Sequence, residues 1–290
     1  WSIAPAPREA MRACRMLLPG AFAPMAAPDL VLCARDAGGA VLGAAALAWR
    51  AASGMPGFPV LAAVVPPARR GGLGRALMEA AAAAAAGEAP ALRAWFPVPE
   101  AAPEAAFLRA CGFATSHRMV TFECDRAQTE AFEAMVSGLL QRVHASGRVP
   151  AGARLVPLAE APGPEVALLV AREFPTLSPA AAARLEAGEA ALHDPALSAA
   201  TMLGDRVAGV VLCGARDGLL HVPVNAVGPA FRQGWANMLH LRQVARQALD
   251  GGFRGVRFTC DSRVRDTMKV GMRAGCRIVE DAPVFIRPLG

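Results

Sequence analysis

The chain has 290 residues, of which 54% are hydrophobic, and its formal net charge is +6. This length suits two domains of ordinary size, and no apolar run approaches the ~18 residues that a membrane span requires. The arginines are dispersed without interleaved aromatic residues and tyrosine is absent, so the charge indicates an anionic ligand rather than nucleic acid.

The N-terminal segment contains no apolar core of signal-peptide length, which predicts a cytoplasmic protein without a membrane partner. Seven cysteines at scattered positions form no Cys-x-x-Cys pair and no zinc-site spacing, and the five histidines do not cluster at ligand spacing. The cysteines are predicted to be buried thiols, and no metal site is expected.

The first predicted elements are a β-hairpin and a buried strand. The apolar segment 30–50 is interrupted at Asp36–Gly39, which predicts two strands joined by a turn. A second apolar run, Phe58–Val65, ends at Pro66-Pro67 and has the character of a buried strand.

A loop rich in arginine and glycine follows this strand and leads into an alanine-rich helix. Its residues are Arg69, Arg70, Gly71, Gly72, Leu73, Gly74 and Arg75. Glycines allow a ligand close to the backbone, and the first turn of a helix leaves N–H groups free at the positive end of the helix dipole. Arginine side chains add charge-assisted hydrogen bonds. The loop therefore predicts a phosphate site.

Spacing excludes two of the three phosphate-binding motifs with this layout. A dinucleotide fingerprint requires a third glycine three residues after Gly74, where Leu77 stands, and a P-loop requires Gly-Lys-Ser/Thr, which the chain lacks. The remaining pattern, Arg-x-x-Gly-x-Gly from Arg69 to Gly74, resembles the pyrophosphate loop of the GNAT superfamily of acyl-CoA-dependent N-acyltransferases. Taken alone, the loop is also compatible with a glycine-rich turn that carries solvated arginines.

The elements after the loop extend the resemblance over most of residues 1–125. A strand is predicted at Ala91–Phe96, a helix at Pro103–Phe113, and a closing strand at His117–Asp125. This succession is similar to the GNAT pattern. It implies an α/β fold with a mixed, mostly antiparallel, splayed sheet flanked by helices.

An internal repeat explains the remaining length. The segment Val64–Gly74 aligns with Ala226–Ala236, and Arg-Ala-Cys-Gly-Phe aligns with Met272–Cys276 at almost the same displacement. We therefore predict tandem GNAT-like domains at 1–125 and 151–290, joined by a linking helix within 126–150. The two domains are expected to act as a pseudo-dimer, whereas the sequence leaves the oligomeric state open.

The two copies of the loop differ in chemistry. In this alignment Phe231 stands in place of Arg69, Gln233 in place of Gly71, and bulky Trp235 follows the second loop. The second copy has thus lost a positive side chain and a flexible position. We expect the coenzyme in the first copy and a degenerate second copy that forms one wall of the acceptor pocket.

The resemblance implies acetyl-CoA as co-substrate, with its pyrophosphate on the loop and its thioester carbonyl polarised by a backbone N–H of Ala63, Val64 or Val65. It also implies a tyrosine that protonates the leaving thiolate, but Leu108 occupies that position in the first copy and Gly271 in the second. The catalytic residues are therefore unknown from sequence. Direct acetyl transfer and a non-catalytic acyl-CoA-binding role both remain open.

Few side chains are candidates for the missing roles. Cys111 and His117 are near the correct end of the first copy, although core packing is the simpler explanation for Cys111 and a surface or capping position for His117. The expected acceptor is a small-molecule amine or a peptide, and Glu100, His221 and Asn225 are candidates for binding it. A solvated carboxylate at Glu100 and a satisfied polar pair at His221 and Asn225 are the simpler alternatives.

Overall fold

The computed structural model describes residues 1–18, 21, 28–48, 57–173, 193–232 and 234–290. Its strands are β1 (Ser2–Pro5), β2 (Leu30–Arg35), β3 (Val41–Leu47), β4 (Phe58–Val64), β5 (Ala91–Ala94), β6 (Ala114–Asp125), β7 (Ala153–Pro157), β8 (Ala199–Leu203), β9 (Arg206–Arg216), β10 (Leu219–Val227), β11 (Gly255–Asp261) and β12 (Arg277–Pro288). The α-helices are α1 (Met11–Leu17), α2 (Leu73–Ala85), α3 (Pro103–Ala110), α4 (Arg126–Ala145), α5 (Gly163–Glu173), α6 (Trp235–Asp250) and α7 (Arg265–Arg273).

These elements form two compact units. Unit 1 contains the described residues of 1–118 together with 282–290, and unit 2 contains the described residues of 119–281. Unit 1 thus includes most of β12 from the C-terminal half of the chain, and unit 2 includes most of β6 from the N-terminal half. The boundaries predicted from the sequence divide the chain linearly, whereas the units do not.

The sheet of unit 1 has the strand order β1-β2-β3-β4-β5-β12. All neighbouring pairs are antiparallel except β4 and β5, which are parallel. The predicted hairpin forms between β2 and β3, where the Asp36 side chain accepts from the Ala40 N–H at 2.9 Å and Gly39 has a φ of 87°. The last strand of the chain closes this sheet, since Ile286 of β12 pairs with Arg93 of β5.

The sheet of unit 2 repeats this plan in the order β6-β11-β10-β9-β8-β7. Its one parallel pair is formed by β10 and β11, and β6 pairs antiparallel with β11 from Met119 to Asp125. The linking helix α4 starts directly after β6 with a capping box of Asp125 and Gln128. The predicted fold class, with a mixed and mostly antiparallel sheet flanked by helices in each half, is confirmed.

Helix α2 connects the arginine-glycine loop to the core of unit 1. Its sequence is dominated by alanine, which has the highest helix propensity. Its buried side chains recur at helical spacing: Leu73, Leu77, Met78, Ala81, Ala82 and Ala85. Packing of this face against the sheet holds the first turn of α2 beside the end of β4.

None of the helices that the structure describes is long and apolar enough to cross a membrane. Among the described residues, no three His, Cys, Asp or Glu side chains are grouped as metal ligands.

Candidate functional site

An opening between β4 and β5 is the first feature of the site in unit 1. The two strands pair in parallel as far as Val60 and Ala94, and the Trp95 N–H then donates to the Val60 carbonyl at 3.0 Å. Strand β4 continues beyond this point and remains paired with β3 as far as Val64. The sheet is therefore splayed at the carboxyl end of β4, in agreement with the predicted splay.

The backbone of β4 directs an N–H group into this opening. The Val65 N–H donates to the Leu42 carbonyl at 2.9 Å, on the side of β3. Because successive N–H groups of a strand point to opposite sides, the N–H of Ala63 also points to β3, and that of Val64 points to the opening. Of the three positions predicted in this strand, the geometry favours Val64 as the donor to a ligand.

The loop after β4 folds back over the end of the strand. A 3₁₀ turn, Pro66–Ala68, precedes Arg69, whose Nε–H donates to the Val64 carbonyl at 2.9 Å. Arg70 has a φ of 66° and Gly72 a φ of 82°, so both lie in the left-handed region. A Cβ at Gly72 would meet no atom within 4 Å, and glycine is therefore favoured there by backbone conformation rather than by crowding.

The first turn of α2 presents backbone donors at the end of the loop. The Ala76 N–H makes the first bond of the helix, to the Gly72 carbonyl at 3.0 Å. The preceding N–H groups, of Leu73, Gly74 and Arg75, consequently have no intrahelical acceptor and lie at the positive end of the helix dipole. Gly74 has a separate role, because a Cβ there would approach the Phe107 ring of α3 to 3.2 Å.

The side chains around the loop retain a positive charge. No described carboxylate oxygen lies within 4.0 Å of the guanidinium groups of Arg69 and Arg70. The nearest acidic group on α2 is already compensated, because Glu79 accepts two hydrogen bonds from Arg287 at 2.9 and 2.8 Å. These bonds, with a smaller contribution from Arg75, hold the pKa of Glu79 below its usual 4.5. The loop thus combines free N–H donors with uncompensated guanidinium groups, which is suited to a phosphate ligand.

The corresponding loop in unit 2 has the same start and a shorter end. The Arg232 Nε–H donates to the Val227 carbonyl at 3.3 Å, which is the contact that Arg69 makes with Val64. Arg69 precedes the first residue of its helix by four positions and Arg232 by three. The sequence alignment that placed Phe231 opposite Arg69 is therefore wrong, because one residue is missing between Arg232 and the helix. Gln233 lies outside the described residues.

The charge of the second loop is neutralised within the protein. Glu173 of α5, whose side chain is only 11% exposed, forms ion pairs with Arg232 and with Arg172, the latter at 3.1 Å. Trp235, the first residue of α6, is 1% exposed and packs in the core of unit 2 with Leu140. The second loop has an internal carboxylate, whereas the first has none among the residues that the structure describes.

The positions considered for proton transfer are mostly apolar. Leu108 is 7% exposed and belongs to the core of unit 1. Cys111 is part of the same core, and burial raises the pKa of its thiol, with Arg75 acting in the opposite direction. His117 was predicted at the surface, but it is buried on β6 with its Nδ1 3.3 Å from the Ser116 hydroxyl, and that prediction is wrong.

The residues predicted to bind the acceptor already have partners or lie apart. Glu100 is paired with Arg109 through one carboxylate oxygen and with Arg118 through the other, at 3.5 Å for the latter. His221 and Asn225 do not form the predicted pair. The His221 Nε2 is buried without a hydrogen-bond partner in the described part of the chain, and burial lowers the pKa of this imidazole.

Asn225 belongs instead to a buried network that was not predicted. The Asn225 Oδ1 lies 2.8 Å from the His240 Nδ1, and the His240 Nε2 lies 2.8 Å from the Thr201 hydroxyl. The Asn225 amide also donates to the Asn237 Oδ1 at 2.9 Å. His240 has no exposed surface, and burial lowers the pKa of its imidazole from 6.5 to about 3. The sequence feature that relates to this network is Gly209, a glycine inside β9, where a Cβ would approach the His240 ring to 2.7 Å.

Two cysteines also differ from the prediction. Cys124 of β6 and Cys276 before β12 form a disulfide with a Cα–Cα distance of 4.4 Å, although all cysteines were predicted to be thiols. The other five, which include Cys14 and Cys260, are free and buried as predicted.

Comparison with known proteins supports the fold and its tandem arrangement. No protein-family model matches the sequence, and no curated protein matches it. Among solved structures, a tandem GNAT protein from the clavulanic acid biosynthesis pathway is 18% identical, with 100% of this chain and 98% of that chain covered at a TM-score of 0.55.

Two further structures show the same fold. A GCN5-related N-acetyltransferase from Anabaena variabilis is 12% identical over 100% of this chain and 73% of that chain, with a TM-score of 0.64. Eis1 from Mycobacterium abscessus is 16% identical over 99% and 73%, with a TM-score of 0.59. The chain therefore has the fold of GCN5-related N-acetyltransferases.

Proposed function

We propose that the protein is an N-acetyltransferase that moves an acetyl group from acetyl-CoA directly to a primary amine. The observation that carries this proposal is the loop of unit 1, where free N–H groups and the uncompensated Arg69 and Arg70 lie beside the opening between β4 and β5. The pyrophosphate would bind the N–H groups of residues 70–75, and the acyl end would enter the opening. The acceptor is a small-molecule amine or a peptide.

In the proposed transfer the amine nitrogen attacks the thioester carbon and the carbon–sulfur bond breaks. The new amide nitrogen loses one proton, and the departing thiolate takes up one. The Val64 N–H would stabilise the negative charge that develops on the carbonyl oxygen. Because Leu108 is an apolar core residue, water rather than a phenol would protonate the sulfur, and much of the rate would come from positioning.

The coenzyme is assigned to unit 1 alone. Glu173 compensates Arg232 in unit 2, so a pyrophosphate there would have to compete with a carboxylate that is already in place. The second loop is also one residue shorter. We propose that unit 2 is a degenerate copy whose role is structural.

A non-catalytic acyl-CoA-binding role is the second candidate. It is favoured by the absence of tyrosine from the chain and by the burial of Leu108 at the expected position of the proton donor. Both candidates require coenzyme binding at the first loop, so a binding experiment tests what they share and an activity assay separates them.

The binding test uses a matched pair of glycine substitutions. Gly72 and Gly234 each precede a helix, have φ values of 82° and 90°, and have no atom within 4 Å of a built Cβ. Gly72→Val would disfavour the left-handed backbone and place a branched side chain in the path of the pyrophosphate. Gly234→Val would cause a similar backbone strain in unit 2 without affecting the coenzyme.

The expected result by titration calorimetry is one acetyl-CoA per chain in the wild type, weak or no binding in Gly72→Val, and unchanged binding in Gly234→Val. Circular dichroism of both variants would show that they are folded. If Gly234→Val abolished binding and Gly72→Val did not, the assignment of the coenzyme to unit 1 would be wrong. Release of free CoA thiol with a panel of primary amines would separate the enzyme from the binding protein.

A further inference from the structure

Arg93 of β5 occupies an unusual position beside the opening. It is in register with Pro59 of β4 on one side and Ile286 of β12 on the other. Its neighbours Leu92 and Ala94 belong to the core beneath α2. Because side chains alternate along a strand, the guanidinium of Arg93 lies on the opposite face of the sheet, which is the face that α1 covers.

The charge of Arg93 is not compensated by the described part of the protein. Its Nε is buried and has no hydrogen-bond acceptor there, and no described carboxylate lies within 4.0 Å of the guanidinium. Burial lowers the pKa of this guanidinium from its usual value. Burial of an unpaired cation is costly, and an anion that binds beside it would remove part of that cost.

Unit 2 contains the same arrangement with its counter-ion in place. There the register row is His221 of β10, Arg257 of β11 and Glu123 of β6. Glu123 accepts from the Arg257 Nε at 3.0 Å and also from its Nη2. The strand position that holds Glu123 in unit 2 holds Ile286 in unit 1. The two arginines at equivalent positions thus differ in their counter-ion, because Arg257 has Glu123 and Arg93 has no carboxylate partner among the described residues.

The face on which Arg93 lies is the face from which an acceptor would approach. Helix α2 and the phosphate loop lie on the other face, so an acyl group that passes through the opening emerges on the side of α1. Leu61 and Trp95, at the mouth of the opening, pack against the cluster that includes Cys14 of α1. Arg93 precedes Trp95 by two residues and therefore points to the same side.

Helix α1 and the residues just before it add further positive charge on this side of the sheet. Arg8, Arg12 and Arg15 recur at three- to four-residue spacing and, with Ala6 and Met11, line a cavity of about 390 Å³. A cavity bordered by three arginine side chains favours an anionic compound.

From these observations we infer that the acceptor amine carries a carboxylate group, which binds Arg93 in the position that Glu123 takes beside Arg257. This inference rests on the proposed acetyl transfer and specifies its substrate class. Arg93 acts in it as a binding residue for the acceptor, and the positive charge of Arg8 and Arg12 favours the approach of the anion.

The test compares ω-amino carboxylates with the corresponding ω-amino amides as acceptors. Charge-assisted hydrogen bonds predict that the wild type prefers the carboxylates by about ten- to a hundredfold in kcat/KM. Arg93→Gln should bring this ratio close to one, and Arg93→Lys should retain part of it. A wild type that does not distinguish the two series, or an Arg93→Gln variant that keeps the full preference, would overturn the inference.

A second variant reproduces the internal counter-ion of unit 2. Ile286→Glu places a carboxylate opposite Arg93 and should remove the preference for anionic acceptors, whereas Ile286→Gln should keep it. Arg257→Gln is the control in unit 2 and should also keep it. If Ile286→Glu and Ile286→Gln behaved alike, the Glu123 comparison would not apply to the acceptor site.

Binding of N-acetylated ω-amino carboxylates, measured by calorimetry, separates this inference from the proposed function. If the wild type binds these compounds without turnover, and Arg93→Gln no longer binds them, acetyl transfer would be refuted and the carboxylate site would be retained. Turnover without any effect of Arg93 would retain acetyl transfer and refute the carboxylate site.

Discussion

The buried His240 of unit 2 makes the stability of the protein sensitive to acid. In the folded state its imidazole has a pKa of about 3, compared with 6.5 when it is exposed to water. Between these two values the unfolded chain binds a proton that the folded protein does not. The contribution of the neutral, buried His240 to the free energy of unfolding is therefore complete above pH 6.5, and it declines as the pH falls towards 3.

The size of this effect follows from the width of the pH window. One group that takes up a proton on unfolding changes the free energy of unfolding by about 1.4 kcal/mol for each pH unit. At about pH 4.5, two units below the pKa of the exposed imidazole, His240 alone should remove roughly 3 kcal/mol. His193 and His221 also have pKa values lowered by burial, so the total loss in the wild type should be larger.

Urea unfolding at several pH values, followed by tryptophan fluorescence and by circular dichroism, measures this loss. The decisive variant is His240→Gln, whose amide oxygen can accept from Thr201 and whose amide N–H can donate to Asn225. Its free energy of unfolding should fall less steeply with decreasing pH than that of the wild type. The difference in slope should correspond to about one fewer proton taken up on unfolding. His144→Gln, on the exposed side of α4, is the matched control and should follow the wild type.

Equal acid sensitivity of the wild type and His240→Gln between about pH 7 and 4.5 would refute this reasoning. It would mean that His240 is protonated in the folded state, or that solvent reaches its ring.

Three further predictions concern the loop, the missing phenol and the disulfide. Arg70→Gly should weaken CoA binding about tenfold in calorimetry without loss of thermal stability, because glycine accepts the φ of 66°; a lower melting temperature would contradict this. Leu108→Tyr should increase CoA release from acetyl-CoA, and wild-type activity should rise towards alkaline pH as the amine loses its proton; an optimum below neutrality would show an unrecognised base. Reduction of the Cys124–Cys276 disulfide should lower the free energy of unfolding by about 2–4 kcal/mol in the wild type and leave the Cys124→Ser/Cys276→Ser variant unaffected.

The local part of the candidate site was accessible from the sequence. The glycines of the loop predicted a left-handed turn before a helix, and Gly72 has that conformation. The alanine-rich segment predicted α2, and the apolar run before Pro66 predicted β4. These features depend on backbone preferences within a few residues, and such preferences are encoded locally.

Register and loop length were less accessible. The sequence alignment of the two loops placed Phe231 opposite Arg69, whereas the shared hydrogen bond to the strand end identifies Arg232 as the counterpart. His221 and Asn225 were expected to act together because they lie on one strand, but a bulge between residues 221 and 224 separates their surroundings. A one-residue change in register alters which side chains meet, and sequence spacing alone does not reveal it.

The sequence by itself determined the fold class, the tandem repeat and the position of the arginine-glycine loop before α2. Only the tertiary structure decided which arginines have a counter-ion. Glu123 meets Arg257 across two strands that are 134 residues apart in the chain, and Glu173 meets Arg232 across 59. Arg93 has Ile286 in the equivalent place because the last strand of the chain closes the sheet of unit 1. Charge compensation requires contact between a particular pair of side chains, and the pairing of distant strands, which no local pattern encodes, determines that contact.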